Sequence, residues 1–417
     1  MKLNTKRTIF IGLAFMSISA FWQLYDQIIP LMLERSFGLS ATLIGSIMSL
    51  DNILALFMLP IFGTLSDKVN TRLGKRTPFI VVGTISAVIF LIMIPIAAEM
   101  KSLGFFVIAL ALTLISMQSY RSPAVALMPD LTPKPLLSKA NAIINLMGTV
   151  GGIISLVAIK ILVPEGVYDY LPLFMTLAAI MLGCIALLVI TVKERKIAEE
   201  IKEIKEAELL EANPEDENKG KELPKDVKRS LIFLLFSIAF WFMGYNAVTT
   251  AFSRYAANIW NKGAGGSATL LLIATVVATI SYVPIGQFSS KLGRRKVIKF
   301  GVILLATCFA VGFTIRELSM LSYVVFGLVG VAWASINVNS YPMVVTMASA
   351  GDTGKYTGIY YTFSMSAQII TPILSGIFID QIGYLSLFPY AAICAACAFI
   401  TFSQVKHGDI ILNNEVK

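Results

Sequence analysis

The chain has 417 residues, 56% of them hydrophobic and only 14% charged, with a mean hydropathy of +0.77 and a net charge of +9. Soluble domains carry about 25% charged residues, so the composition argues against a soluble enzyme, a disordered chain or a nucleic-acid-binding domain. A spanning helix needs about 20 apolar residues, and this length accommodates about a dozen plus loops.

In chain order, apolar runs fall near residues 8–33, 40–65, 77–98, 103–128, 140–163, 170–192, 230–253, 267–289, 297–315, 318–347, 356–379 and 384–405. Only helices and closed barrels satisfy their backbone in lipid, and the runs lack the period-two alternation of barrel strands. The expected fold is an all-α polytopic membrane protein with 12 transmembrane helices. The first run is too long for a cleavable signal peptide and carries Asp26. Cys184, Cys308, Cys394 and Cys397 all lie in apolar runs and read as small hydrophobes; no metal site or cofactor is expected. His407, in the polar tail, is assigned no role.

Residues 193–229 break the pattern, with 10 Lys/Arg and 12 Asp/Glu. Helical charge spacing from Glu194 to Glu211 gives way to Asn213-Pro214-Glu215-Asp216-Glu217. This is a solvated linker between an N-terminal half, 1–192, and a C-terminal half, 230–417. With the N-terminus inside, 27 Lys/Arg fall on cytoplasmic segments and 6 on outer loops. The positive-inside bias therefore places both termini and the linker in the cytoplasm.

Three patterns recur at an offset near 219. Ala20-Phe21-Trp22 with Tyr25-Asp26 matches Ala239-Phe240-Trp241 with Tyr245-Asn246. Gly63, Asp67 and Lys68, then Leu73-Gly74-Lys75-Arg76, match Gly286, Ser290 and Lys291, then Leu292-Gly293-Arg294-Arg295. Ser122-Pro123 and Lys139 match Tyr341-Pro342 and Lys355. The halves read as two six-helix pseudo-repeats of the same topology, an arrangement that puts transport sites at the repeat interface near midplane.

Ionisable residues deep in apolar segments are functional candidates. Asp26 lies about 27 Å along helix 1 at 1.5 Å per residue, with Ser19, Trp22 and Gln23 on its face and Tyr25 adjacent. An aromatic ring beside an acid and an amide suits sugar binding; the acid is also a candidate proton carrier, and an interfacial aromatic belt is the bland alternative. Asp51, near the middle of helix 2, has apolar neighbours Ile47, Met48, Leu54 and Ala55. It reads either as a proton carrier or as an acid bonded to a neighbouring helix. Arg121 on helix 4, with Gln118 one turn earlier, either pairs with a carboxylate, binds sugar hydroxyls or snorkels to the surface. The second-copy counterparts, Asn246, Ala274 and Ser340, are neutral. Ion coupling is thus expected in the N-terminal half, with Asp26 and Asp51 as its carboxylates. Neutral solute contacts are expected from Trp241, Tyr245, Asn246 and Thr249 on helix 7 and Trp333, Asn337 and Asn339 on helix 10, with helix–helix hydrogen bonding as the alternative. Tyr360, Tyr361 and Gln368 are weaker candidates.

The 2–3 loop, with its echo in the 8–9 loop, resembles the major facilitator superfamily signature Gly-x-x-x-Asp-basic-x-Gly-basic-basic. Residues 66–80 resemble more narrowly the S-D-x-x-x-S/T-x-x-G-R-R-R-P-F-I stretch of sucrose:proton symporters, within the glycoside–pentoside–hexuronide group, and residues 121–132 and 139–142 resemble that branch's helix 4 and 5 segments. The resemblance implies a secondary transporter that takes up a disaccharide or short glycoside with a cation, a proton first and sodium second. Plant members carry an acid midway along helix 4, whereas residues 103–120 have none. The motif implies a gate formed by Gly63, Asp67, Lys68, Gly74, Lys75, Arg76, Asp130, Arg294 and Arg295, with Asp67 against the N-terminus of helix 11 and Arg294 or Arg295 against Asp130. Other basic residues there are expected to meet anionic lipid. The partners expected are a sugar and membrane lipid, not nucleic acid, and the protein is expected to act as a monomer in a bacterial cytoplasmic membrane. One rival is a proton-coupled drug or metabolite antiporter, which the polar-aromatic face of helix 1 opposes. Another is a non-transporting receptor or scaffold, which would bring an added folded domain. No metal cluster, nucleophile motif or phosphate loop supports an enzyme.

Overall fold

The computed structural model describes residues 3–133, 136–166, 168–201, 223–347 and 353–409. Residues 202–222 of the linker, including the Asn213–Glu217 break, lie outside the described residues. Twelve of the described helices are long and apolar enough to cross a membrane. They are α1 Thr5–Phe37, α2 Ala41–Lys68, α3 Thr77–Glu99, α4 Leu103–Asp130, α5 Leu137–Leu162, α6 Leu171–Thr191, α7 Lys225–Ile259, α8 Ala264–Leu292, α9 Arg294–Thr314, α10 Met320–Met347, α11 Thr353–Ile382 and α12 Leu387–Ser403. A 3₁₀ turn, Tyr384–Ser386, leads into α12. Residues 194–201 are also helical. The protein is thus a multi-pass membrane protein, its apolar runs corresponding one to one with spans.

Several helices outrun the apolar runs because their ends are set by caps and turns rather than by hydropathy. Asn4 accepts the Arg7 N–H at 3.0 Å and starts α1, which ends at Gly38 with φ 63, the left-handed C-cap that glycine favours. Ser102 starts α4 by accepting from Phe105 N. α7 begins at Lys225 and ends at Ile259, well beyond residues 230–253. Prolines lie inside α1, α2, α3, α4, α8, α10 and α11. Hydroxyls also bond backbone carbonyls one turn back in such spans; Thr346 donates to Pro342 O at 2.6 Å.

The chain divides into two compact units. The first holds Met1–Gly38, Leu50–Asn213 and Gly263–Gly265; the second holds Leu39–Ser49, Pro214–Lys262 and Gly266–Lys417. The division departs from the half boundaries at α2, whose first turns, 41–49, belong to the second unit. Within each unit the repeat is visible in packing. A Cβ on Gly83 of α3 would lie 2.7 Å from Tyr120 Cβ of α4, and one on Gly301 of α9 would lie 2.8 Å from Ser335 Cβ of α10. Both helix pairs meet through a glycine because lipid supplies no hydrophobic drive and close van der Waals approach takes its place.

Candidate functional site

In the first unit, α1, α2 and α4 bring together the charged residues singled out in the sequence. Tyr25 is buried and Asp26 half-buried on α1; Asp51 on α2 is 9% exposed. Each of the two acids lies within electrostatic reach of the other and of Tyr25, and Asp51 is within reach of Arg121 as well. The Arg121 guanidinium sits over the Trp22 ring, 5.4 Å from its centroid, a cation–π contact of about 0.5–2 kcal/mol. Trp22 meets Tyr25 edge-on at 5.4 Å. Gln118, fully buried, donates from Nε2 to the Asp51 carbonyl at 3.2 Å. Asn52 Nδ2 donates to Asp51 Oδ1 at 2.8 Å. Gln23 turns elsewhere: its Oε1 faces Gly152 of α5, 3.8 Å from where a Cβ would stand. The helix 1 face read from sequence is therefore split, with Trp22 toward α4 and Gln23 toward α5.

This grouping has a definite chemistry. The two carboxylates act on each other and Arg121 lies within reach of Asp51, so full ionisation would leave a negative charge uncompensated in a poorly solvated place. Binding a proton or another monovalent cation removes that imbalance. Trp22 supplies an apolar face, and the acids, amides and guanidinium supply hydrogen-bonding groups around it.

In the second unit, Tyr245 of α7 stacks flat on Trp333 of α10, centroids 3.7 Å apart and planes 7° apart. Phe242 meets the same indole edge-on at 5.3 Å. The other candidates are dispersed. Trp241 is fully buried and lies 6.1 Å from Phe402, the position of a core residue. Asn339 is buried and donates to Ser335 O of its own helix at 2.9 Å. Asn337 is exposed and bonds the Tyr282 side chain. Asn246 is half-buried, with Nδ2 unbonded. Tyr360 shares a hydrogen bond with Ser340 at 3.3 Å, and Gln368 donates to Ser364 O. The cavity beside Tyr245, Thr249 and Phe326 encloses about 10 Å³, about the room of a single water. A larger cavity, about 280 Å³, lies against Pro224, Thr346, His407 and Asp409, touching none of the predicted solute residues.

The glycine-rich loop motif forms a built network. Arg76, 6% exposed, reaches Asp67 Oδ1 at 2.5 Å through Nη2 and Asp130 Oδ2 at 2.8 Å through Nε. Its Nη1 donates to Gly63 O and Ser66 Oγ. Asp67 and Asp130 thus both meet Arg76; residues 348–352, which lead into helix 11 where Asp67 was anticipated to dock, lie outside the described residues. The planar guanidinium fork serves several acceptors at once, which a lysine cannot do; Lys68 and Lys75 stay exposed. Arg294 donates to Pro342 O and Thr346 Oγ1.

Three acids were missed in the sequence. Glu194, just past α6 and 4% exposed, accepts from the backbone N–H groups of Lys75, Arg76 and Thr77 at 2.7–2.9 Å and from the Thr77 hydroxyl. It caps α3 at its electropositive end. Asp409, just past α12, accepts from Arg295 N at 3.4 Å and repeats the device at α9. Gly74 and Gly293 precede these caps with φ of 117° and 91°, and a Cβ on either would strike the capping carboxylate. Asp380 on α11 accepts from Ala41 N, Thr42 N and the Thr42 hydroxyl and caps α2. A repeat comparison extended past α6 and α12 was the available signal for the first pair; nothing local marked Asp380.

Two six-helix repeats, a charged cluster inside one of them and the paired loop motif together define a polytopic membrane carrier. The Major Facilitator Superfamily profile matches residues 11–341 and 260–410, and the chain belongs to that family. It is a secondary transporter of that type, acting on a small molecule. No match was found among curated proteins. Solved structures share the fold. The nucleoside transporter NupG is 15% identical, covering 97% of this chain and 100% of its own, with a TM-score of 0.69. A peptide transporter POT bound to alafosfalin is 12% identical, covering 96% and 94%, with a TM-score of 0.70. A bacterial homologue of the iron transporter ferroportin, inward-facing, is 14% identical, covering 97% and 99%, with a TM-score of 0.67.

Proposed function

We propose that the protein imports a disaccharide or short glycoside by alternating access, coupled to a proton, across a bacterial cytoplasmic membrane with both termini inside. The carrying observation is the cluster of Trp22, Tyr25, Asp26, Asp51, Gln118 and Arg121 within one unit. An indole face beside carboxylates and an amide fits a sugar ring and its hydroxyls. Two mutually interacting acids, one of them within reach of Arg121, fit a site that must gain and lose a proton as the solute moves. Asp26 is the first choice for the coupling carboxylate and Asp51 the second. Within the second unit, the stacked Tyr245 and Trp333 are the aromatic candidates for solute contact. The resemblance of residues 66–80 to sucrose:proton symporters supports the same solute class. One charge crossing a 100 mV potential releases about 2.3 kcal/mol, enough to concentrate a neutral sugar roughly fiftyfold.

The test is purified protein in liposomes with an internal pH dye. Adding sucrose, maltose or lactose outside acidifies the lumen. Sugar entry with no pH change, but with a requirement for sodium, moves the coupling to sodium. A panel in which no glycoside enters overturns the solute class.

A further inference from the structure

The polar stripe on α7 ends in a residue that the sugar reading leaves unused. Arg254 is 3% exposed, and its Nε and Nη1 are buried without a hydrogen-bond partner. It forms no ion pair among the described residues. The described carboxylates of its unit are engaged or out in water: Asp226 pairs with His407, Asp380 caps α2, Asp409 meets Arg295 N, and Glu317 is exposed. Four and eight residues earlier on the same helix face stand Thr250 and Asn246. Thr250 donates to the Asn246 backbone carbonyl at 2.7 Å, and the Asn246 side-chain Nδ2 is buried and unbonded. Ser253, fully buried, also has an unbonded hydroxyl. Toward the helix end Asn258 donates to the Arg254 carbonyl at 2.9 Å, so the backbone is satisfied where the side chain is not.

The unmet groups along this face are donors: an amide N–H₂, a hydroxyl and two guanidinium nitrogens. A guanidinium keeps its charge at any physiological pH, and burying two of its three nitrogens without an acceptor is costly. Sugar hydroxyls can accept its protons but cannot balance its charge; an oxyanion does both. We propose that Arg254 is an oxyanion-binding residue of the transport path and that the solute carries a carboxylate or phosphate. Asn246, about 12 Å away along the helix, meets an acceptor elsewhere on the same solute. This rests on the sugar reading for the body of the solute, while the oxyanion stands on Arg254 itself. It has a consequence for coupling: a singly negative solute entering with one proton moves no net charge, so uptake follows the pH gradient and ignores the membrane potential.

The experiment measures ligand-induced thermal stabilisation of the purified full-length protein in detergent at fixed ionic strength. The probes are matched pairs: lactose against lactobionate, and sucrose against sucrose 6-phosphate. Glutarate and glycerol 3-phosphate serve as non-sugar oxyanions. Wild type is expected to bind the anionic member of a pair more tightly, and the carboxylate and phosphate arms tell which oxyanion it takes. R254Q is expected to lose that preference, about ten- to a hundredfold, the range for a hydrogen bond to a charged group. R254K keeps the charge without the fork, and its expected affinity falls between the two. Neutral sugars binding as tightly as their anionic partners overturns the proposal and leaves the sugar reading standing. Glutarate or glycerol 3-phosphate binding as tightly as the anionic sugars upholds the oxyanion and removes the sugar. R254Q weakening neutral and anionic ligands alike assigns Arg254 to helix packing and overturns the proposal. Should R254Q fail to fold, the wild-type pairs and R254K decide by the same criteria.

Discussion

Replacing Glu194 with alanine is expected to destabilise the protein more than its place beside a charged linker would lead one to anticipate. The carboxylate takes three backbone N–H groups and one hydroxyl at the start of α3 while only 4% exposed. A buried donor left unpaired costs about 1–3 kcal/mol, and loss of a negative charge at a helix N-terminus adds about 0.3–1 kcal/mol. Lys75 is exposed, so water reaches part of the vacated site. The working figure is about 2–4 kcal/mol for E194A and about half that for E194Q, which keeps an acceptor but loses the charge. Glu199 is the internal control. It pairs with Arg195 at 3.2 Å with both side chains more than half exposed, a geometry worth about 0.3–0.5 kcal/mol. Unfolding titrated with a denaturing detergent should rank the stabilities E199Q ≈ wild type > E194Q > E194A. If E194A proves as stable as E199Q, the capping argument is wrong.

Other outcomes follow from the same contacts. G74A places a Cβ 2.3 Å from Glu194 Cδ at a φ of 117°; it should cost about 1–2 kcal/mol for the backbone alone, and a double-mutant cycle with E194A should be non-additive. D26N should abolish accumulation against a gradient while leaving solute exchange between equal pools, measured by counterflow; a variant that still concentrates solute removes Asp26 from coupling. W333A removes the indole that stands beside Tyr245; a solute ring packed on it would lose about 0.5–1.5 kcal/mol, so the half-saturating solute concentration should rise about two- to twelvefold, and an unchanged value excludes the indole from the solute path. D380A removes the cap on α2 at Ala41 and Thr42; a cysteine at Ser40 should then react faster with maleimide, while one at Ser102 should react as before.

Much of this was legible from the chain, for reasons that differ by residue. Asp26, Asp51 and Arg121 stand out because apolar runs tolerate few charges, and in the structure they converge. Their neutral counterparts in the second repeat were legible as an asymmetry. Trp241 illustrates the opposite case. Its match to Trp22 in the repeat placed it among the solute candidates, yet it lies buried near Phe402, because equivalent helix positions need not face equivalent space. The loop motif was readable as a unit, but its wiring was not. Arg76 gathers both Asp67 and Asp130, and only the path of the loop determines that. Glu194 was hidden by composition, one acid among twelve in a segment read as solvated. Asp380 was hidden by isolation, since a single acid near a helix end carries no pattern until the partner helix is known.

The placement of the four tryptophans provides the protein with optical probes of its own. Trp241 and Trp260 are buried and give a constant background. Trp22 lies under the Arg121 guanidinium in one unit, and Trp333 lies against Tyr245 in the other; both are half-buried. Each unit therefore reports on itself. In a W333F background the emission that responds to added solute comes from Trp22 alone, and in W22F from Trp333 alone. The order in which the two units engage a solute becomes readable by stopped-flow fluorescence without any attached dye.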